Sequence, residues 1–168
     1  MTTEIEQSTI TLRKMDEKEY SKYLTWAIND YAEDKIRAGN WRKDEALNNS
    51  EKEFNSLLPE GLESENNFLF HITNEDKRVG HIWYYEDGKF CFIYDFHVYE
   101  NYRRQGFAFQ TLNLLEKEMT EKKCSYIGLH VFGFNILARK LYEKCGYVKE
   151  LRSTEQNILM RKTLNQND

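Results

Sequence analysis

The sequence predicts an α/β fold: a mixed, mostly antiparallel sheet of about seven strands flanked by helices, in the order βααβββαβαββ. Three observations carry this prediction. The run Phe90 to Val98 is aromatic and β-branched, as a buried strand requires, and it leads through a basic, glycine-containing turn into a helical pattern from Phe107 to Lys123. Tyr126 to Val131 then returns as another strand, and a strand, helix, strand crossover makes its two strands parallel neighbours. Short polar turns separate the strands ahead of this unit, so those pair antiparallel.

Taken in order, Thr9 to Arg13 alternates apolar with polar residues for a first strand. Asp16 offers an N-cap with Glu19 three residues on, and Tyr20, Tyr23, Leu24, Ala27, Ile28 and Tyr31 follow at helical spacing until Gly39-Asn40. Arg42 to Leu58 reads as a second helix with Ala46, Leu47, Phe54, Leu57 and Leu58 on its apolar side, closed by Pro59 and Gly61. Phe68 to Ile72 and Val79 to Tyr85 are strands joined by the polar turn Thr73 to Arg78, and Glu86 to Lys89 turns into the central strand. Ala108, Leu112, Leu115 and Met119 share one face of the helix that follows. Asn135 opens a last helix, with Ala138, Leu141, Tyr142 and Cys145 at helical spacing and Gly146 at its end. Tyr147 to Leu151 and Asn157 to Lys162 supply a final hairpin. With no repeat, linker or low-complexity stretch, residues 1–168 are expected to form a single domain.

A single proline and 14% aromatic residues suit a packed core. The formal net charge of −4 argues against nucleic acid as a partner and favours a cationic one. Cys91, Cys124 and Cys145 are odd in number and lack metal-ligand spacing, so they read as thiols in a reducing compartment, with no metal site expected. Met1 to Gln7 is polar with no apolar run behind it, which gives neither a signal peptide nor a membrane span and places the protein in the cytoplasm.

The chemistry gathers in the turn after the central strand. Arg103-Arg104-Gln105-Gly106-Phe107-Ala108 stands at a helix N-terminus, where the first amides lack intrahelical partners and the dipole is positive, so phosphate oxygens can collect N–H bonds and arginine charge. Gly106 lets the backbone approach closely. The spacing Arg103-x-x-Gly106-x-Ala108 resembles the acetyl-CoA pyrophosphate loop of the GNAT N-acetyltransferase superfamily. A second segment, Leu129 to Tyr147, resembles the family's later motif, matching it at Leu129, Val131, Asn135, Ala138, Tyr142 and Gly146, with Tyr147 where phenylalanine is usual. The two matches lie in the right order on the predicted elements and span residues 90–151.

The resemblance implies a GNAT-like sheet, acetyl-CoA held as acetyl donor between two parallel strands that splay apart, and transfer to an amine. It assigns the thioester carbonyl to a main-chain N–H around Phe96 to His97, near a kink, the pantetheine arm to Val98, and the diphosphate to Arg103, Arg104, Gln105, Gly106, Phe107 and Ala108, with Asn135 and Ala138 at the matching offsets of the second motif. Tyr142 matches the tyrosine that protonates the departing thiolate. The central-strand positions that carry a catalytic acid or histidine in some relatives are Phe92 and Tyr94 here. Where acetyltransferases of ribosomal-protein N-termini carry a glutamate base, this chain has His130, whose imidazole suits proton abstraction near neutrality; a strand histidine bonded to its neighbours is the other reading. Asp95, His97 and Glu33 are further candidates for the base, of which Asp95 can instead anchor the strand. Tyr31, Glu33, Asp34 and Trp41, with Tyr94 and Asp95, could recognise an amine by charge and cation–π contact. The expected protein is an acetyl-CoA-dependent N-acetyltransferase, favoured by Tyr142 and His130 over the second reading, a silent acetyl-CoA sensor; the acceptor's identity and monomer or homodimer are left open.

Overall fold

The structure, a computed structural model, describes residues 9–164; the polar segment Met1 to Gln7 lies outside the described residues. One seven-stranded sheet runs through it. In chain order the elements are β1 (Ile10–Lys14), α1 (Glu17–Arg37), α2 (Lys43–Leu57), β2 (Asn67–Asn74), β3 (Lys77–Glu86), β4 (Cys91–Val98), α3 (Phe107–Glu121), β5 (Tyr126–Phe132), α4 (Ile136–Lys144), β6 (Val148–Lys149) and β7 (Asn157–Thr163). The spatial order is β1-β2-β3-β4-β5-β7-β6, and every neighbouring pair is antiparallel except β4 with β5. The expected fold class and element order hold.

Two apolar clusters, one on each face, fix the layers. Leu112, Leu115 and Met119 of α3, Tyr142 of α4 and Cys145 at its end pack with Ile72, Ile82, Ile93, Ile127 and Leu129 of the sheet. On the opposite face Tyr20, Tyr23 and Ala27 of α1 and Phe54 of α2 pack against Leu69 and Trp83. The start of α1 is set by a reciprocal cap: the Glu19 amide donates to the Asp16 carboxylate (2.8 Å) and the Asp16 amide to Glu19 (3.1 Å). Ser50 of α2 donates to the Ile28 carbonyl at 2.7 Å, tying the two helices. Leu47, expected in the core, is 52% exposed, because α2 turns only Ala46, Ser50 and Phe54 inward.

Other differences concern ends. The β2–β3 hairpin closes through Glu75-Asp76 alone, with Glu75 at φ +55°, so both strands run further than the polar stretch Thr73 to Arg78 suggests. The predicted strand Tyr147 to Leu151 shrinks to Val148–Lys149, an outer edge that pairs only with β7. All three cysteines are buried thiols. No helix among the described residues is long and apolar enough to cross a membrane.

What positions the site is the way β4 behaves. Its parallel pairing with β5 stops after Cys91, Phe92 and Ile93, while β5 continues against β7 to Phe132 and β4 continues against β3 to Val98. Between Ile93 and Asp95 the β3–β4 register slips, leaving Tyr94 as an extra residue. This irregularity lies just ahead of Phe96 to His97, the stretch that the resemblance assigns to the thioester carbonyl near a kink. Beyond it, Gly80 lets β3 and β4 lie close: a Cβ there would fall 2.1 Å from the His97 carbonyl oxygen. Gly80→Ala is expected to lower stability by about 1–3 kcal/mol, the usual penalty for overpacking, read as a lower midpoint in denaturant unfolding.

Candidate active site

The Tyr99 amide donates to the Val79 carbonyl at 2.8 Å, which makes Gly80 and Val98 a pair that exchanges no ladder bonds. By alternation Ile82 and Phe96 are another such pair. The N–H and C=O of Phe96 and Val98 therefore point away from β3, toward the side that β5 has left. His97 is the residue whose main chain is spent on β3, so of the three strand positions proposed for the thioester and its arm only Phe96 and Val98 offer main-chain groups. The Val98 carbonyl accepts from Arg103 Nε at 3.0 Å, which pins the following turn to the strand end.

That turn is built for an anion. Arg104 (φ +64°) and Gly106 (φ +81°) are both left-handed, and Gly106 caps α3 without any side-chain bond to the first helical amides. Alternating hand along successive residues curls main-chain N–H groups into a concavity, and the uncapped amides of Phe107 and Ala108 extend it. A Cβ at Gly106 would meet little of the protein, its nearest neighbour being Gln110 Nε2 at 3.7 Å, so the space in front of the amides is open. These residues line a groove of about 480 Å³ together with Phe96, Val98, Asn135, Ala138 and Tyr142. Phe107 contributes only its amide, since its ring is in the core. Gln105 is exposed and does not line the groove.

Through the gap, on the α1 face, lies a smaller pocket of about 150 Å³. It shares Phe96, Asn135, Ala138 and Tyr142 with the groove, so these residues stand where the two spaces meet. Asn135 caps α4, its side-chain oxygen accepting from the Ala138 amide at 3.3 Å. Tyr142 is 7% exposed, burial raises its phenol well above the ordinary value, and its hydroxyl has no hydrogen-bond partner among the described residues. His130 lines the same pocket and bonds the Asn157 side-chain oxygen through Nε2 at 3.0 Å. Because that oxygen only accepts, the proton sits on Nε2 and Nδ1 is left with a lone pair. Burial lowers the His130 pKa, the Asn157 bond opposes this, and Lys35 adds to the lowering, so the ring is neutral at pH 7.

The remaining lining is acidic and aromatic: Asp30 and Asp34 from α1 and Asp95 from β4, with Trp26, Tyr31 and Tyr94. Asp95 accepts from Tyr23 at 2.6 Å and from His81 at 3.0 Å. Burial pushes its carboxyl up, but the His81 and Tyr23 bonds and the nearby His97 outweigh it and the net shift is downward. Burial, then Asp30, raises Asp34 to about 6. Tyr31 is held by edge contacts with Trp41 (5.6 Å) and Phe54 (6.0 Å); Trp41 backs it and does not reach the pocket. Glu33 is exposed and lines a depression outside the pocket. His97 does not line the acid pocket; it lines the groove and a second cavity on the α1 face. The sequence reading missed Trp26 and Asp30, although Trp26, Asp30 and Asp34 recur every four residues and so share one face of α1. Among the described residues no group of three or more His, Cys, Asp or Glu side chains could hold a metal ion.

Comparison with known proteins fits this geometry. The acetyltransferase (GNAT) family profile matches residues 15–147. The chain is 37% identical over 161 residues to the N-acetyltransferase YycN of Bacillus subtilis, covering 93% of this chain and 99% of the relative, and 35% identical over 159 residues to YdgE of the same organism, covering 92% and 98%. The crystal structure of YycN superposes with a TM-score of 0.81 over 87% of this chain and 96% of that one. The PaiA N-acetyltransferase of Thermoplasma acidophilum, crystallised with coenzyme A, shares the fold at 17% identity, with a TM-score of 0.68 over 92% of this chain and 99% of that one. The chain therefore belongs to the GNAT acetyltransferase family. It is an N-acetyltransferase.

The raised Asp34 pKa has a measurable sign. Between its ordinary 3.8 and about 6 the folded chain holds a proton that the unfolded chain has lost, so this residue's contribution to stability declines as pH rises through that window. Asp34→Asn is expected to raise the unfolding midpoint above the window and to leave it unchanged below, as measured by denaturant titration at the two ends.

Proposed function

We propose that this chain moves the acetyl group of acetyl-CoA onto a primary amine by direct attack, at the point where β4 and β5 part. The observation that carries the reading is Tyr142, whose side chain lines both the groove and the acid pocket. The residues present fit the donor: the amides of Phe107 and Ala108 with Arg104 suit a diphosphate, and the strand groups of Phe96 and Val98 suit an extended amide-bearing arm. Bound there, acetyl-CoA supplies an activated acyl carbon.

Asp30, Asp34 and Asp95 attract an ammonium group into the pocket, and Trp26, Tyr31 and Tyr94 give it aromatic walls. An ammonium has no lone pair, so a base must take one proton before attack. His130 is neutral with Nδ1 available and takes that proton. The main-chain N–H of Phe96, directed into the gap, polarises the carbonyl as negative charge develops on its oxygen. As the carbon–sulfur bond breaks, Tyr142 gives its proton to the sulfur. Its raised pKa keeps the phenol protonated until then; the second proton of the attacking nitrogen, lost as the amide forms, replaces the one Tyr142 gave, and the proton held by His130 leaves to solvent.

Tyr142→Phe is expected to reduce kcat on the order of a hundredfold or more while leaving acetyl-CoA affinity unchanged. Steady-state thiol release and calorimetric binding check the two halves, and undiminished turnover would remove Tyr142 from the mechanism. His130 works only when neutral, so activity falls as pH drops through its pKa, which lies below the ordinary 6.5. The His130→Ala variant is expected to lose this acidic limb in a pH–rate profile; a variant that keeps it assigns the base elsewhere.

A further inference from the structure

A second cavity, of about 550 Å³, adjoins the acid pocket on the α1 face, and Trp26 lines both. Its floor is a row of histidines brought into register by three adjacent strands: His71 on β2 lies opposite His81 on β3, which lies opposite His97 on β4. Trp26 packs on two members of this row, its ring 5.1 Å from His81 and 5.4 Å from His97. The electrical character is opposite to that of the acid pocket. Lys18, Lys22 and Arg78 line the cavity, and its two carboxylates are already engaged. Asp16 accepts the Glu19 amide at 2.8 Å, and Glu19 pairs with both Arg13 and Arg78, which hold it ionised. The charges of Arg13 and Arg78 balance those of Asp16 and Glu19, so the positive remainder is that of Lys18 and Lys22.

One side chain in this cavity is buried with a single charged partner. His71 is 5% exposed and its Nε2 lies 3.0 Å from the Glu19 carboxylate, while Nδ1 is buried without a hydrogen bond. The cationic charge not already paired beside it comes from Lys18 and Lys22, and an anionic oxygen is complementary to that charge.

We infer that this cavity binds the carboxylate end of the acceptor whose amine enters the acid pocket, so that the enzyme takes bipolar amines of the amino-acid or peptide kind. This rests on the proposed acetyl transfer for the identity of the acceptor, but the site itself is testable without turnover. Three of the chain's four histidines line the cavity and His130 does not. Ring-proton NMR during titration with glutarate, a dicarboxylate with no amine, is expected to shift His71, His81 and His97 and leave His130 unmoved. No shift, or an equal shift at His130, overturns the site.

The acceptor reading is tested by thiol release with 6-aminohexanoate against 6-aminohexanamide, which differ only in the carboxylate. The acid is expected to have a KM on the order of tenfold lower, with glutarate competing against it. In Arg78→Gln and, separately, in the exposed Lys22→Gln, the ratio of the two KM values is expected to collapse toward one. Glutarate shifts without a preference for the acid overturn the acceptor reading and assign the cavity to a separate carboxylate. If no amine releases thiol, the proposed reaction fails while the NMR result still decides the site.

Discussion

Two strands part in the middle of a sheet, and the functional geometry follows from how each is held on its far side. β5 is paired with β7 along its whole length and β4 with β3 to its end, yet they share only three residue pairs with each other. The extra residue at Tyr94 lets β4 turn away while its antiparallel ladder with β3 resumes. Main-chain groups that a partner strand would ordinarily satisfy then face open space, a costly condition inside a protein unless another molecule completes them. Arg103 takes the Val98 carbonyl, and the rest of the parted edge is available to a ligand.

Charge is sorted along α1 with similar economy of parts. The outer turns of that helix place Lys18 and Lys22 on one side of Trp26 and Asp30 and Asp34 on the other. Asp95 and His81, bonded to each other across the β3–β4 pair, carry the same division into the sheet. The net result is a pair of neighbouring spaces of opposite preference separated by one indole, on a chain whose overall charge is mildly negative. Surface averages therefore describe the partner poorly, because a few fixed charges in low-dielectric surroundings outweigh many solvated ones.

The elements and their order were legible in the sequence because alternation, helical spacing and glycine punctuation are local properties. The glycine turn at the start of α3 was legible for the same reason: Gly106 and the amides after it are consecutive in the chain. Tyr142 was reachable because its offset from Asn135 is fixed by one helix. Features created by register were not. His71, His81 and His97 are separated along the chain and meet only through strand pairing, and the bulge at Tyr94 depends on how two neighbours pull on β4. Helix rotation was the other hidden variable. Glu33 and Asp34 are adjacent acidic residues, yet one turns to solvent and the other into the pocket, and Gln105 sits within a binding turn while its side chain points outward.

The shared wall between groove and pocket has a thermodynamic consequence. Phe96, Asn135, Ala138 and Tyr142 bound both spaces, so on that side the pocket has no boundary of its own. Whatever fills the groove becomes the floor against which the second molecule rests. For the proposed donor and acceptor the affinities at the two places are therefore linked, and reciprocity requires that each change the other's dissociation constant by the same factor.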